Sequence, residues 1–388
     1  MIGVIGELPF MHYQICVRCI MDTSDPDIEF DENGVCNHCH NFEVNLRPHW
    51  HPDSGGGQIL ERLVNQIKQE GVGKPYDCAI GLSGGVDSSY LAYIARKELG
   101  LRLLAVHVDG GWNSEVATRN IENIVNKLDI DLHTYVVDWE EMRDVQRAFV
   151  RAGLANQDVP QDHAFFAALY RNAQSYGLRY ILSGGNIATE SVMPSEWAYN
   201  AMDLRHLRSV HKLFGTRKIR TFPQVSFFRY YFWNRYVKRM RVVRPLNYMP
   251  YVKDEAIKIL GRELGFQYYG GKHFESRFTK WQQLFYRRKK FGYDERRAYL
   301  SSLILSQQVE RSEALKILIN DKKNERDAEE DTEFILKKLS ITEEEFQQIM
   351  LQEPKTFRDY PSNFILFNFK TAVREWLRSK GIILHPNS

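Results

Sequence analysis

No run of about 18 apolar residues occurs anywhere in this 388-residue sequence, so no membrane-spanning helix is expected. The N-terminus lacks a basic stretch followed by a long apolar one, so no signal peptide is expected either. An excess of one charge is missing as well. The net charge is only +3, which removes any whole-chain argument for binding nucleic acid, although a local patch could still do so. Cysteine is scarce, with five residues, four of them in two close pairs near the N-terminus. That pattern favours a metal over disulfides and a cytoplasmic setting. No internal repeat is present. The Gly-Lys-Ser/Thr that closes a Walker phosphate loop is also missing.

What remains is an ordinary globular composition, long enough for one main domain with additions. Residues 1–50 hold the paired cysteines and little periodicity. His51-Pro52-Asp53-Ser54-Gly55-Gly56-Gly57 reads as a linker, and an amphipathic run from Ile59 to Glu70 follows. Short apolar runs at 77–82, 103–108, 132–137 and 180–183 alternate with helical patterns at 120–127, 139–152 and 162–176. Such alternation predicts an α/β fold with a doubly wound parallel sheet covered on both faces. Ligands then sit beyond the carboxyl ends of the strands, where two glycine loops fall. From Gly261 onward the chain reads as helical, with a capping box at Thr342 and Glu345 and an acidic, solvated connector at 326–333. The expected regions are 1–50, a Cys₄ zinc module; 58–265, the sheet domain; and 266–388, a helical region.

Cys16-x-x-Cys19 and Cys36-x-x-Cys39, sixteen residues apart, fit a Cys₄ zinc site, with Asn33-Gly34 supplying a turn before the second pair. Four thiolates fill the coordination sphere, so the metal is read as structural. His38 or His40 as substitutes, or an iron–sulfur cluster, are the minor alternatives. Cys78 lies within the first strand and reads as a small core residue.

The first glycine loop is Ser83-Gly84-Gly85-Val86-Asp87-Ser88-Ser89. Strand, loop and helix follow in the order an anion cradle needs: glycines let the backbone approach phosphate, the serines add hydroxyl donors, and the helix start adds partial positive charge. This loop resembles the PP-loop of the N-type ATP pyrophosphatases, a group that includes GMP synthetase, NAD synthetase, asparagine synthetase and tRNA thiolases. The resemblance implies an adenine nucleotide alpha hydrolase-like fold, binding of ATP, and capture of the pyrophosphate released when a nucleophile attacks the α-phosphate. Gly184-Gly185-Asn186-Ile187-Ala188-Thr189-Glu190 resembles a late-strand segment of NAD synthetase, which makes Glu190 a candidate Mg²⁺ ligand with Asp87 as a second. A solvated helix-start carboxylate is the plainer reading of Glu190. Arg244-Pro245-Leu246 through Lys253-Asp254-Glu255 to Leu264-Gly265 is similar to the segment that closes the sheet in GMP synthetase. Asp109 stands where such enzymes hold the nucleoside, although Asp before Gly-Gly is also ordinary turn chemistry.

With the quartet and the PP-loop, Tyr268-Tyr269-Gly270-Gly271-Lys272-His273-Phe274-Glu275-Ser276-Arg277-Phe278-Thr279-Lys280 extends the resemblance to nearly the whole chain. The chain resembles the N-acetyl sugar amidotransferases of surface-polysaccharide biosynthesis, the WbpG and PseA type. That resemblance implies an AMP-forming conversion of an acetamido group to an acetamidino group on a nucleotide-activated sugar, for lipopolysaccharide O-antigen or another surface glycan. Lys272, Arg277 and Lys280 are candidates for phosphate or sugar-carboxylate contacts, or else form a basic helix face. Asp162 and His163 follow Pro160 and either face the active site or cap that helix, capping being the safer reading.

A glutaminase would need an activated nucleophile, and with Ile2 at position 2 and Cys78 in a strand none is evident. Free ammonia should therefore serve alone and glutamine only with a partner, and the resemblance implies that the partner proteins are of the glutaminase and cyclase type. Their expected docking surfaces are the helical tail and Arg217–Arg244, a stretch with nine Lys/Arg, eight aromatics and no acid. Packing or a protein interface is the first reading of that stretch, peripheral membrane contact the second, and RNA the third, so no nucleic acid is expected. The competing function is a PP-loop tRNA-modifying enzyme of the thiolase kind. Sulfur transfer commonly needs a reactive cysteine outside the zinc site, and only Cys78 remains.

Overall fold

The computed structural model describes residues 13–320 and 322–380. Five parallel strands form one sheet in the order β3-β2-β1-β4-β5: β1 is Cys78–Gly81, β2 Leu103–Asp109, β3 Asp131–Val136, β4 Tyr180–Leu182 and β5 Arg241–Val243. β1 and β2 are almost wholly apolar because they are covered on both faces. Cys78 and Ile80 face a core with Leu60, Ile67, Leu91, Ile124 and Leu260. Ala79, Leu104, Val106 and Ile181 face the other side, against Leu169, Tyr170 and Ala173. Burying each large side chain of these cores contributes roughly 1.5–3 kcal/mol. β3 forms an edge of the sheet, and its exposed Asp131 and Thr134 suit an unpaired margin. The doubly wound sheet is thus present. Its order reverses between β1 and β4, which opens a crevice at their carboxyl ends.

Three local expectations need correction, and one strand was not foreseen. The glycine run is no linker: a helix spans Ser54–Glu70, its first turn capped by Asp53, whose Oδ1 accepts from Gly56 N–H at 3.0 Å. Gly56 is required by crowding, since a Cβ there would lie 1.8 Å from the His51 carbonyl oxygen. The acidic connector is also helical, inside Lys322–Leu339, and its carboxylates pair with the basic segment before it. The capping box is half formed: Thr342 Oγ1 accepts from Glu345 N–H, but the Glu345 side chain pairs with Arg151. Finally, the short basic strand β5 carries no alternation by which it could be read, and it arises because β4 offers it a partner.

The three expected regions share cores. The four cysteines pack with Phe42, with Ile187, Val192 and Trp197 of the sheet domain, and with Ala298 and Leu305 from the C-terminal helices. Arg311 Nε donates to the Cys19 carbonyl at 2.8 Å, and Arg297 donates to that of Ile20 at 2.8 Å. Another core joins Trp112, just beyond β2, to Phe278, Trp281, Tyr286, Leu336 and Phe346. The C-terminal helices therefore wrap the end of the sheet that carries the glycine loops.

Candidate active site

Ser83 follows β1 as the backbone turns. Gly84 has φ +80°, and a Cβ there would stand 2.7 Å from the Ala117 carbonyl oxygen, so conformation and space both demand glycine. Gly85 precedes the helix Val86–Tyr93 and has no side chain to cap it, an arrangement that suits an anion at the helix start. Ser83 Oγ accepts from Gly85 N–H at 3.2 Å and lies 3.2 Å from Ser88 Oγ. The second glycine loop touches the first, since a Cβ on Gly184 would lie 2.9 Å from Ser88 N.

Charged groups converge on this junction. Lys272 Nζ is 3.0 Å from Glu190 Oε1 and 3.9 Å from Asp87 Oδ2, and donates to the Thr189 carbonyl at 3.1 Å. Burial works against the Glu190 carboxylate, but the Lys272 charge beside it holds the group below its usual range. Tyr251 donates to Asp87, and Tyr269 Oη accepts from Val86 N–H at 3.0 Å. Glu275 lies over the loop. Its Oε1 accepts from Ser83 Oγ at 3.3 Å, and its buried Oε2 has no hydrogen-bond partner among the described residues. His273 Nδ1, on a residue with φ +63°, is 3.9 Å from Glu275 Oε1.

Lys253 is 6% exposed, with its Nζ 4.5 Å from the centre of the Tyr299 ring. Burial pushes its ammonium down to about 8, and Asp87 offsets only part of that. Because it lines the same cleft, it is a cation for phosphate only below that range. The KM for ATP should therefore rise as pH climbs through about 8. Lys253→Met should begin with a raised KM and lose that step. A wild-type KM that is flat on either side of pH 8 would count against the assignment.

The cleft encloses about 500 Å³. Its lining includes Ser83, Gly85, Val86, Asp87, Ser88, Gly184, Gly185, Glu190, Arg244, Lys253 and Lys272, together with Asp158, Asp162, Arg287 and Glu295. Asp158 accepts from Thr279 Oγ1 at 3.0 Å and from Gln282 at 2.7 Å. Desolvation by the cleft walls, then the neighbouring Asp158 charge, pushes the Asp162 carboxyl up to about 7, although its side chain still meets solvent.

Other expected residues lie elsewhere. Arg277 pairs with Asp331 and stacks 3.9 Å from the Phe334 ring centre, and Lys280 pairs with Asp327 at 3.5 Å; neither lines the cleft. Ser89 is fully buried behind the loop. Asn186 is a buried cap that accepts from Thr189 N–H at 2.9 Å. Asp109 Oδ1 accepts from Gly111 N–H at 2.7 Å, which is turn chemistry. Asp162 does not cap its helix but faces the cleft. His163 is buried and links the Ala201 carbonyl (2.7 Å) to Val225 N–H (3.1 Å), and its burial lowers it to about 4. The sequence reading missed Tyr251, Lys253 as a site residue, Tyr269 and Glu275. Only Lys253 left a local signal, a lysine in the first turn of a helix, where the dipole disfavours a cation.

The four cysteines are fully buried, and their sulfurs all lie within 4.8 Å of one another. Sγ separations of 3.8, 3.6 and 3.7 Å match the spacing of about 3.8 Å for four thiolates around a tetrahedral ion. His38 and His40 bond Asp25 and Asp31 instead, so the cluster is a Cys₄ metal site.

Residues 58–212 match the family model described as NAD synthase, and residues 275–374 match that of the LPS biosynthesis protein WbpG-like, C-terminal domain. By these two matches residues 58–212 are similar to the PP-loop superfamily and residues 275–374 to the WbpG-like C-terminal domain. Among curated relatives of this PP-loop protein, "GMP synthase [glutamine-hydrolyzing]" of Aeropyrum pernix is 28% identical over 141 residues, 35% of this chain and 25% of that protein. "tRNA(Ile)-lysidine synthase" of Chlamydia pneumoniae is 30% identical over 116 residues, 29% of this chain and 34% of that one. The chain thus spans only 25% and 34% of the curated relatives it matches. A solved structure of NMN synthetase from Francisella tularensis aligns at TM-score 0.33 and 16% identity, covering 66% of this chain and 94% of that one.

Proposed function

We propose that this PP-loop protein is an AMP-forming amidotransferase. It would activate the acetamido oxygen of a nucleotide-linked sugar with ATP and then exchange that oxygen for the nitrogen of ammonia, in the assembly of lipopolysaccharide O-antigen or a related surface glycan. The observation that carries this reading is the glycine loop and helix start at Ser83–Ser88, which line a cleft of about 500 Å³ together with Lys272, Lys253 and Arg244. The amide oxygen attacks the α-phosphorus and the bond to pyrophosphate breaks, giving an O-adenylyl imidate. Ammonia adds at the imidate carbon, a proton is lost, and AMP leaves with the former amide oxygen. The chain's part is positioning and charge. N–H groups and hydroxyls of the loop hold the departing pyrophosphate, while Lys272, Lys253 and Arg244 supply cations.

Asp87 and Glu190 both approach Lys272 Nζ, and this convergence of carboxylate oxygens suits Mg²⁺, which when bound would neutralise phosphate charge. Four thiolates with no open position suit a structural zinc ion. The WbpG-like match supports a sugar substrate, either a UDP-linked diacetamido uronic acid or a CMP-linked nonulosonic acid. The match to tRNA(Ile)-lysidine synthase favours tRNA as the second reading. Against a thiolase, Cys78 is fully buried and its thiol is pushed up by burial.

The deciding experiment incubates the purified chain with ATP, each candidate sugar nucleotide or tRNA, and either ammonium or glutamine. AMP, pyrophosphate and a sugar lighter by the difference between oxygen and NH are expected with ammonium. Glutamine should serve only when a glutaminase and cyclase-like pair is added. ADP and phosphate as the only nucleotide products would overturn the reading, and efficient use of glutamine by the isolated chain would overturn the partner requirement.

A further inference from the structure

Exposed aromatic side chains are concentrated on one surface, outside the cleft. A π-helical segment, Arg229–Val237, sets Phe228, Phe232 and Tyr236 four residues apart on an outer face. Phe228 is 58% exposed and Tyr236 59%, and the ring centres along this ladder are 5.0 and 5.3 Å apart. The C-terminal helix Phe364–Ser379 lies against the same segment. Phe367 packs 5.1 Å from Phe227 and 5.5 Å from Tyr231, and Lys370 Nζ sits 4.0 Å from the Tyr231 ring centre. That helix also leaves an apolar stripe in solvent: Ile365, Phe369, Val373 and Trp376, with Ile365 at 81% and Phe369 at 67% exposure.

Two apolar stripes thus flank a shared contact, and the charges interleaved with the first are all of one sign. Arg229, Lys238, Arg239 and Arg241 are exposed, and no acidic residue occurs between Arg217 and Arg244. Nine of the chain's 52 Lys/Arg fall in that stretch, in a chain with a net charge of only +3. Exposed apolar rings with a cationic surround have the chemistry of an interfacial membrane segment, in which aromatics enter the headgroup boundary and Lys/Arg face anionic lipid. The surface also connects to the cleft, because the chain runs from this segment through β5 to Arg244, which lines it.

We infer that the face formed by Arg229–Val237 and Phe364–Ser379 docks the enzyme on an anionic lipid bilayer. The whole chain should float with vesicles of phosphatidylglycerol and phosphatidylcholine but not with phosphatidylcholine alone, and salt should weaken the binding. Arg229→Glu with Lys238→Glu should reduce affinity roughly 30-fold or more. Phe232→Ser with Trp233→Ser should reduce it roughly tenfold. All four positions are exposed, so melting temperature should be unchanged, which separates lost docking from lost folding. Failure of the wild type to bind anionic vesicles would overturn the inference, as would equal binding by both variants. Light scattering covers the other occupant: a wild-type dimer dispersed by Phe232→Ser with Trp233→Ser would assign the face to a second copy and also overturn it. None of these outcomes depends on which sugar is used.

Discussion

Replacing Cys19 and Cys36 together with serine should abolish metal binding, lower the melting temperature by on the order of 10 °C, and remove catalytic activity as well. The first two effects follow from chemistry. Binding of a structural ion to four thiolates is worth on the order of 10 kcal/mol, comparable with the whole stability of a typical domain. The loss of activity follows from packing. The cysteine core includes Ile187 and Val192, which bracket the short helix Ile187–Glu190, and Ala298 and Leu305, from the helix Glu295–Leu305 that crosses it. Ser306 Oγ donates to the Ala188 carbonyl at 2.8 Å, and Ser302 Oγ accepts from Val192 N–H at 3.0 Å. If the metal module loosens, the wall that fixes Glu190 loses its backing. Metal analysis, melting and turnover should fall together in the double variant and on chelation. A variant that lost its metal but kept full turnover would show that the module does not support the cleft.

The sequence made the two local devices legible and left the long-range ones hidden. The loop Ser83–Ser89 can be read because strand, glycines and helix start are adjacent in the chain. The cysteine quartet can be read because two short spacings encode a tetrahedron. Tyr269 and Glu275 reach the loop from 183 and 192 residues away, and nothing near either residue announces that contact. Arg277 and Lys280 show the converse error. Their charges matched a phosphate site on paper, but their partners Asp331 and Asp327 lie on a helix whose acidity read as solvation. Lys272, eight residues before Lys280, escapes that neutralisation because the chain between Gly270 and Ser276 crosses the loop instead of joining the acidic helix. The exposed ladder at Phe228, Phe232 and Tyr236 shows that only part of the aromatic stretch packs inward, with Phe222 and Tyr230.

Lys272→Met should lower kcat/KM by roughly 10²–10³ while leaving the chain folded. Lys272 is the cation within 4 Å of both Asp87 and Glu190, and it reaches them from the segment that also places Glu275 over Ser83. In the proposed reaction its ammonium would stand where charge builds as the α-phosphorus is attacked and pyrophosphate departs. Without it, two carboxylates would face each other and an incoming polyphosphate with only Lys253 and Arg244 as counter-charges, in a cleft that screens poorly. Divalent metal can offset part of this, so the deficit should shrink as magnesium is raised, whereas in the wild type the dependence should be weaker. Lys272→Arg should recover only part of the rate, because a planar fork cannot also reproduce the 3.1 Å donation to the Thr189 carbonyl. The measurement is pyrophosphate release against ATP and magnesium for the three chains, with melting temperature as the control for folding. A Lys272→Met enzyme within threefold of wild type would reduce Lys272 to a structural tie between the strap and the helix Ile187–Glu190. The catalytic cations would then have to be Lys253 and Arg244.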